Sequence, residues 1–310
     1  MNRSFYWLLI VFSGLFWACE EEFIPEINND APQFVVESYI EAGEGANPPF
    51  VVLTRTLPFF ETIDEEILND LFVHDAVVNL SNGQDTVQLT EVCFNNLGSA
   101  SRDLFAEFLG VGSIDQIGLN ICVYIELSPA PLMGVEGGAY QLDIVAEGTT
   151  IRASTTIPFH VPLDSLDFRI APENDSLVEL RGFVSDPADQ IDFYRYFTQR
   201  NEEPLFSGVA SVIDDKFFNG QSFEFPLQRG QLRTDEIDFN TFGFFNKGDT
   251  IQVKWATLDE QHFNFWNTLE FNSQSDGPFT SFTRIDSNIE NGLGVFGGYG
   301  VSYHSIIIPE

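Results

Sequence analysis

From residue 34 onward the chain consists of short runs rich in apolar residues and separated by turn residues, and each run predicts a β-strand. Polar and apolar residues alternate in 138–145 and 151–157, which is typical of half-buried strands because successive side chains point to opposite faces. The runs in the first half of the chain are 34–40, 50–56, 76–80, 86–89, 123–127, 139–145 and 150–157. The last two are joined by Glu147 and Gly148, which predicts a β-hairpin.

A second set of strand patterns follows a break at Pro158 and Pro162. Its runs are 166–170, 177–184, 192–199, 207–213, 222–227 and 250–257. Short strands separated by turn residues at this spacing are typical of immunoglobulin-like or transthyretin-like sandwiches. We therefore expect a mostly β protein of two β-sandwich domains: an N-terminal sandwich over 33–160 and a C-terminal β-rich domain over 161–310.

Two segments have helical spacing instead of alternation. The segment 99–110 has a serine N-cap, an apolar face and a glycine at its end. In the segment 258–271, Asp259 is the expected N-cap, and Phe263 and Trp266 recur at helical spacing. We expect a short helix inserted in the first domain and one helix packed across a sheet of the second.

The segment 1–18 has the pattern of a lipoprotein signal peptide. A basic start with Arg3 precedes the apolar run 5–18, which is shorter than the about 20 residues that span a bilayer. The residues before Cys19 resemble a bacterial lipobox, in which the cysteine is acylated. We predict cleavage after residue 18 and lipidation at Cys19; the alternative is an N-terminal helix or membrane anchor with an accidental cysteine.

The acidic residues Glu20, Glu21 and Glu22 directly follow the predicted lipidation site. They resemble the export signal that sends Bacteroidota lipoproteins to the outer face of the outer membrane, although a solvated linker is the alternative. Residues 19–32 are acidic and weakly patterned, which indicates a tether. The predicted location is therefore the outer membrane, lipid-anchored and facing the cell surface.

Cys93 and Cys122 are the remaining two cysteines of the processed chain. An even number of cysteines in an exported protein predicts one disulfide. The bridge would close the helical insert 93–122 and stabilise the fold by about 3–4 kcal/mol. A metal or redox role needs a CxxC motif or a nearby histidine, and neither is present.

The charge balance restricts the possible partners. The 14 Lys and Arg residues against 47 Asp and Glu residues give a net charge of −33. Such a field repels phosphate backbones and anionic lipid headgroups. We therefore expect no nucleic-acid binding, and the lipid alone would attach the chain to a membrane. The acidity favours cationic, peptide or metal-complex ligands, and no cofactor is expected.

No catalytic motif is recognisable. Gly292, Gly294 and Gly297 fit G-x-G-x-x-G by letter, but no helical pattern follows them, so we expect these glycines to allow tight turns and close strand packing. The four histidines are scattered singly, which argues against a zinc site, and G-x-S-x-G is missing. With 47 carboxylates, no glycosidase pair can be singled out.

Calcium binding is one interpretation of the acidic segment 186–192. Asp186, Asp189 and Asp192 offer oxygen ligands, but the segment lacks the glycine and terminal glutamate of an EF-hand loop. An acidic turn that enters the strand near Asp192 is the alternative. Both interpretations stay open, and no metal site is predicted.

Several of these elements together resemble a known family. They are the lipobox and acidic triplet, the strands at 34–40, 52–56 and 76–80, the cysteine insert, the segment 138–142 with Ile157 and Pro158, and the segment 285–298. The chain is similar over nearly all its mature length to the Bacteroidota lipoprotein family catalogued as domain of unknown function 4249. The most specific segment is 287–296, where Asn288, Gly292, Gly294 and Phe296 are expected to have structural roles.

The resemblance implies a function but no catalytic residues, because none is assigned in the family. Members are typically found beside TonB-dependent outer-membrane receptors, which implies a non-enzymatic accessory lipoprotein that captures or gates a substrate. One alternative is a surface adhesin or envelope-assembly module that binds another protein through its Phe-rich strands. Another is an extracellular hydrolase, which needs a cleft with converging carboxylates.

Overall fold

The computed structural model describes residues 32–57, 67–68, 70–98, 101–102, 120–231, 238, 240–274 and 284–310. The chain divides into residues 1–31 and a compact unit at Pro32–Glu310, and the fold below is that of the second unit. The unit is mostly β, as the sequence predicts.

The first half of the described chain contains seven strands. They are β1 (Phe34–Ala42), β2 (Phe50–Arg55), β3 (Val77–Ser81), β4 (Thr86–Cys93), β5 (Cys122–Ile125), β6 (Ala139–Ala146) and β7 (Thr149–Thr156). The predicted hairpin is confirmed as β6 and β7, which pair antiparallel. Its turn residues Glu147 and Gly148 have φ of 50° and 80°, so the chain reverses through two left-handed residues, as a type I′ turn requires.

The second half contains further strands and a long helix. They are β8 (Ser165–Ala171), β9 (Asn174–Ser185), β10 (Phe193–Arg200), β11 (Phe206–Asp214), β12 (Ser222–Leu227), β13 (Phe245–Asn246), β14 (Thr250–Leu258), α1 (Glu260–Gln274), β15 (Ile289–Glu290) and β16 (Leu293–Ile307). A 3₁₀ turn occupies Phe94–Asn96. The sequence did not predict the full length of β16, because its glycines interrupt the apolar alternation.

The described strands belong to two sheets. Twelve follow the order β11-β10-β14-β16-β1-β2-β5-β4-β3-β6-β7-β15, and the other sheet follows β12-β9-β13 with β8 paired to β9. Within β4 the pairing partner changes: Thr86–Leu89 pairs with β3, whereas Thr90–Cys93 pairs with β5. This switch of partners lets one continuous sheet supply both layers around a core.

Two large hydrophobic cores result among the described residues. The first core combines residues from β1, such as Val36 and Ile40, with residues from β6 and β7, such as Ile144. The second core combines Val178 from β9 with Trp255 from β14, so the four-stranded sheet packs against the end of the long one that carries β10 and β14. Both cores have the layered arrangement of a sandwich.

The last long strand, β16, is shared by the two cores. Its segment from Leu293 to Gly300 pairs in parallel with β1, and its segment from Tyr299 to Ile307 pairs antiparallel with β14. Phe296 lies in the first core and Ile306 packs against the second. The predicted division into two domains is therefore not confirmed, because residues 32–310 form one compact unit.

The predicted boundary nevertheless marks a real change along the chain. Ile157 belongs to the first core and Val161 to the second, so the chain leaves one core for the other at this point. Prolines 158 and 162 flank that crossing. The return of β16 to the first core, much later in the sequence, has no counterpart in the local pattern.

The helix α1 covers the face of β14 and β16 that lies opposite the second core. Ala256 and Leu258 of β14 join Phe263 in a separate cluster, whereas Trp255 points into the second core. The predicted N-cap is confirmed, because Asp259 Oδ1 accepts a hydrogen bond from the His262 backbone N–H at 3.0 Å. The predicted helix at 99–110 lies outside the described residues except for 101–102, which are helical.

Candidate functional site

The structure bears on the predicted disulfide but not on the predicted lipid anchor. Cys19, Glu20, Glu21 and Glu22 lie outside the described residues, as do the predicted signal peptide and most of the tether. The Cys93–Cys122 disulfide is confirmed, with its two residues directly opposite each other in β4 and β5. The bridge closes a loop between neighbouring strands, and its sulfurs are not available as metal ligands.

The family motif at 287–296 has its polar groups turned onto the protein's own backbone. Asn288 Nδ2 donates to the carbonyl of Phe296 at 2.7 Å, and the Phe296 N–H donates back to Asn288 Oδ1 at 3.0 Å. Asn288 Nδ2 also lies 3.2 Å from the carbonyl of Ser154 on β7. The asparagine, directly before β15, thus ties this segment to β16 and to β7 of the first sandwich.

The glycines of this motif lie where β16 meets β1. Gly294 has φ of +107°, and a Cβ there would lie 2.0 Å from the carbonyl oxygen of Val36. A Cβ at Gly292 would lie 3.1 Å from the carbonyl oxygen of Phe34. A strand, β16, follows instead of a helix, so this segment has no helix N-terminus on which a dinucleotide phosphate could bind.

A cluster of three buried aspartates is the most distinctive polar feature of the described residues. Asp186 directly follows β9, Asp192 directly precedes β10 and Asp215 directly follows β11. Their side chains are 7%, 3% and 0% exposed, and one carboxylate oxygen from each lies within 4.8 Å of the others. Strand ends from both sheets therefore bring three carboxylates to one point.

Asp186 is held by two donors. The Tyr194 hydroxyl donates to Asp186 Oδ1, and the Gly220 N–H donates to Asp186 Oδ2 at 2.9 Å. Burial and the hydrogen bond to Asp186 raise the pKa of Tyr194 well above its usual range, so the phenol stays protonated and acts as a donor.

Asp192 and Asp215 each have one held oxygen and one free oxygen. Gln190 Nε2 donates to Asp192 Oδ1 at 2.7 Å. The Asp192 N–H and Asn219 Nδ2 donate to Asp215 Oδ2 at 2.8 and 3.1 Å. In contrast, Asp192 Oδ2 and Asp215 Oδ1 are buried and accept no hydrogen bond.

Burial and mutual repulsion affect the protonation of these carboxyls. Burial, followed by the charge of Asp186, raises the pKa of Asp192 to about 6. Burial is also the main cause that raises the pKa of Asp215. The neighbouring Lys216 is exposed and forms its ion pair with Asp214, at 2.7 Å, rather than with a carboxylate of the cluster.

The acidic segment 186–192, for which calcium binding and a simple acidic turn were the two open interpretations, contributes only part of this cluster. Asp186 and Asp192 do come together, but Asp189 is exposed and lies outside the cluster. The third member, Asp215, was missed by sequence reasoning because it lies well beyond the segment 186–192. Only the antiparallel pairing of β10 with β11 brings it back beside Asp192.

Exposed apolar side chains accompany the cluster. Phe217, two positions after Asp215, is 91% exposed, and Ile191, directly before Asp192, is 52% exposed. Phe218, which directly follows Phe217, is buried and stacks on Tyr194 with 6.4 Å between the ring centroids. The turn after β11 therefore has one aromatic ring anchored in the core and another in solvent.

Two of the four histidines, His160 and His304, share a hydrogen-bond partner although they lie far apart in the sequence. His160 Nε2 and His304 Nε2 lie 2.8 and 3.0 Å from the hydroxyl of Ser302. The other ring nitrogen of His160 lies 3.1 Å from the Thr257 hydroxyl. Burial, with a smaller effect of His304, lowers the pKa of His160 to about 4, so this group is a neutral hydrogen-bond network at pH 7.

Among the described residues, no helix combines the length and apolarity needed to cross a membrane.

Comparison with known proteins gives a family for the chain. None of the curated proteins compared with the chain matches it. A family model described as "Domain of unknown function (DUF4249)" matches residues 20–305, which is nearly the whole sequence. The chain therefore belongs to the DUF4249 family.

Proposed function

We propose that this chain is a lipid-anchored lipoprotein of the outer membrane that faces the cell surface. In this proposal it is a non-enzymatic accessory of a TonB-dependent receptor and takes part in substrate capture or uptake. The observation that carries the proposal is the order of the N-terminal features: an apolar run, Cys19, and then Glu20, Glu21 and Glu22. The family match begins at residue 20, directly after the proposed acylation site.

The charge of the processed chain is consistent with attachment by lipid. Removal of the segment 1–18 removes Arg3 and no acidic residue, which leaves 13 basic and 47 acidic side chains and a net charge of −34. A body with this charge is repelled by an anionic membrane surface. Each buried acyl methylene contributes about 0.8 kcal/mol, so several acyl chains on Cys19 provide stable attachment.

Fatty-acid labelling tests the anchor. The Cys19→Ala variant should incorporate no labelled palmitate in the native host, whereas the wild type and a Ser13→Ala control should be labelled equally. The control changes the apolar run without touching the acylated atom. Labelling of Cys19→Ala would contradict acylation at this residue.

Protease treatment of intact cells tests the export signal. The wild type should be digested from outside, whereas a variant with glutamine at 20, 21 and 22 should be protected because it stays on the periplasmic side. The matched control replaces Glu26 and Asp30, two acidic residues of the same predicted tether, by Gln and Asn. Protection of the control as well would show that general acidity, and not the triplet, directs export.

A second candidate function is an adhesin or assembly module that binds a partner other than a barrel. The exposed Phe217 favours it, because a 91% exposed aromatic ring on a turn is a suitable anchor for a protein partner. In that case Phe217→Ser should lose the partner in affinity purification. Phe159→Ser, which changes another exposed phenylalanine, should retain it.

A further inference from the structure

We propose that Asp186, Asp192 and Asp215 bind one calcium ion. The three carboxylates come from the end of β9, the start of β10 and the end of β11, and their oxygens lie within 4.8 Å of one another. Because Ca–O distances are 2.3–2.6 Å, any two oxygens bound to the same calcium ion lie no more than about 4.6–5.2 Å apart. One ion therefore fits among these oxygens with little rearrangement of the strands.

The charge of the cluster calls for a cation. Carboxylates that are buried without a compensating charge are strongly unfavourable, and three at one point also repel one another. In the part of the chain that the structure describes, no lysine or arginine forms an ion pair with any of the three. A divalent cation would neutralise most of this charge.

Two orphaned oxygens provide an independent indication of a ligand. Asp192 and Asp215 are 3% and 0% exposed, and each has one buried oxygen that accepts no hydrogen bond. The second oxygen of each side chain accepts hydrogen bonds from Gln190, Asn219 or the backbone. Metal-binding carboxylates have this division, because donors fix the orientation of one oxygen while the other coordinates the ion.

The donor atoms favour calcium among the common metals. The cluster contains only oxygen ligands, with no histidine or cysteine, and such sets select hard cations. Mg²⁺ demands short 2.0–2.1 Å bonds in octahedral geometry and usually retains several waters. Three buried carboxylates from different segments suit the longer and more variable bonds of Ca²⁺.

The bound ion would have a structural consequence. Asp186 follows a strand of the four-stranded sheet, whereas Asp192 and Asp215 flank strands of the long sheet. Calcium would therefore join the two layers of the second sandwich at one end. It would also fix the turn that exposes Phe217, because this turn begins at Asp215.

Equilibrium dialysis of the full-length protein in detergent with ⁴⁵Ca²⁺ tests the proposal. We expect one tightly bound ion per chain and a higher melting temperature in calcium than in EGTA. Asp192→Asn and Asp215→Asn should each weaken this binding by about tenfold or more, because each removes one charged ligand. Asp189→Asn removes a charge from the same loop but lies outside the cluster, so it should bind like the wild type.

Terbium luminescence gives a second readout that does not depend on the variants. Tyr194 donates a hydrogen bond to Asp186, so a Tb³⁺ ion in the site should be sensitised by tyrosine excitation and displaced by Ca²⁺. Displacement by Mg²⁺ at equal concentration would overturn the choice of calcium. Absence of a bound ion in the wild type at about 5 mM Ca²⁺, or equal weakening by Asp189→Asn, would overturn the site itself.

Discussion

At the scale of single residues, Gly294 is the described glycine at which an added Cβ would come closest to another atom. We expect Gly294→Ala to reduce the free energy of unfolding by about 3–5 kcal/mol, because the new Cβ would combine a left-handed backbone with a clash. Its φ is +107°, and the nearest atom would be the Val36 carbonyl oxygen at 2.0 Å. Urea denaturation followed by circular dichroism measures the change.

Gly83 provides the matched control for this substitution. It also has a positive φ, of +84°, but a Cβ there would have nothing within 4 Å. Gly83→Ala should therefore cost only about 1–2 kcal/mol, from backbone strain alone. Equal losses for the two variants would show that the close approach of β16 to β1 does not matter.

His262 is expected to make stability depend on pH. Burial, and then the charge of Arg195, lowers its pKa from 6.5 to about 3 in the folded protein. At a pH between these two pKa values, His262 is protonated in the unfolded chain but neutral in the folded chain. The free energy of unfolding therefore falls as the pH is lowered. From pH 7 to pH 4.5, His262 should contribute a loss of about 2 kcal/mol.

The comparison with His262→Phe isolates this contribution, because other groups titrate in the same range. Urea unfolding at pH 7 and pH 4.5 should show that the wild type loses more stability than the variant over this interval. The comparison uses only the change in the free energy of unfolding between the two pH values, so a lower absolute stability of the variant does not affect it. The same dependence in both proteins would contradict a buried neutral His262.

The residue-level predictions from sequence succeeded where the chemistry was local. The disulfide followed from a count of cysteines and the N-cap Asp259 from its position before an apolar spacing. Asp215 could not be predicted as a neighbour of Asp192, because that contact depends on how β10 and β11 pair. The local acidic pattern instead indicated Asp189, which is exposed.

At the scale of elements, α1 is attached to the sheet by a buried polar contact. Glu270 of α1 accepts hydrogen bonds from the Ser211 N–H and hydroxyl at 2.8 and 2.6 Å. The Arg195 guanidinium lies 4.0 Å from the same carboxylate and 3.5 Å from the centroid of the Trp266 ring. The helix is thereby fixed to β10 and β11 by charge as well as by apolar packing.

We expect Glu270→Ala to lower the free energy of unfolding by about 3–5 kcal/mol, because it leaves the Arg195 charge buried without its carboxylate. Asn267→Ala, at an exposed position of the same helix, should change stability by no more than about 0.5 kcal/mol. Thermal and urea unfolding would measure both. A loss below about 1 kcal/mol for Glu270→Ala would indicate that water replaces the carboxylate.

The elements themselves were largely predictable, but their partners were not. Alternation located the strands of the hairpin β6–β7, and helical spacing located α1, because both patterns record which side chains face the core. The parallel pairing of β16 with β1 joins the first and last strands of the described chain, and a glycine-rich strand has few side chains that alternate. Contacts such as that of Glu270 with Ser211 depend on this long-range register.

At the scale of the whole molecule, β16 makes the two sandwiches dependent on each other. A fragment of residues 33–160 would lack both the parallel neighbour of β1 and the buried side chain of Phe296. Loss of one buried phenylalanine costs about 3–5 kcal/mol, which is a large part of the stability of a small domain. We expect this fragment to have no cooperative unfolding transition.

Near-UV circular dichroism and urea titration would test this expectation, with a chain of residues 20–310 as the folded control. The fragment should lack the near-UV signal of packed aromatic side chains. If instead the fragment unfolds cooperatively, residues 33–160 are an independent domain, and the predicted boundary at 160 separates two parts that fold independently.

At this scale we propose that the DUF4249 protein is a surface lipoprotein that assists a TonB-dependent receptor. The most direct measurement is affinity purification of the lipidated protein from its native host in mild detergent, with quantitative mass spectrometry and the Cys19→Ala variant as the control. We expect one large TonB-dependent barrel in equal amount with the wild type and its loss with the variant. Repeated isolation of the lipidated protein without any barrel would rule out this proposal.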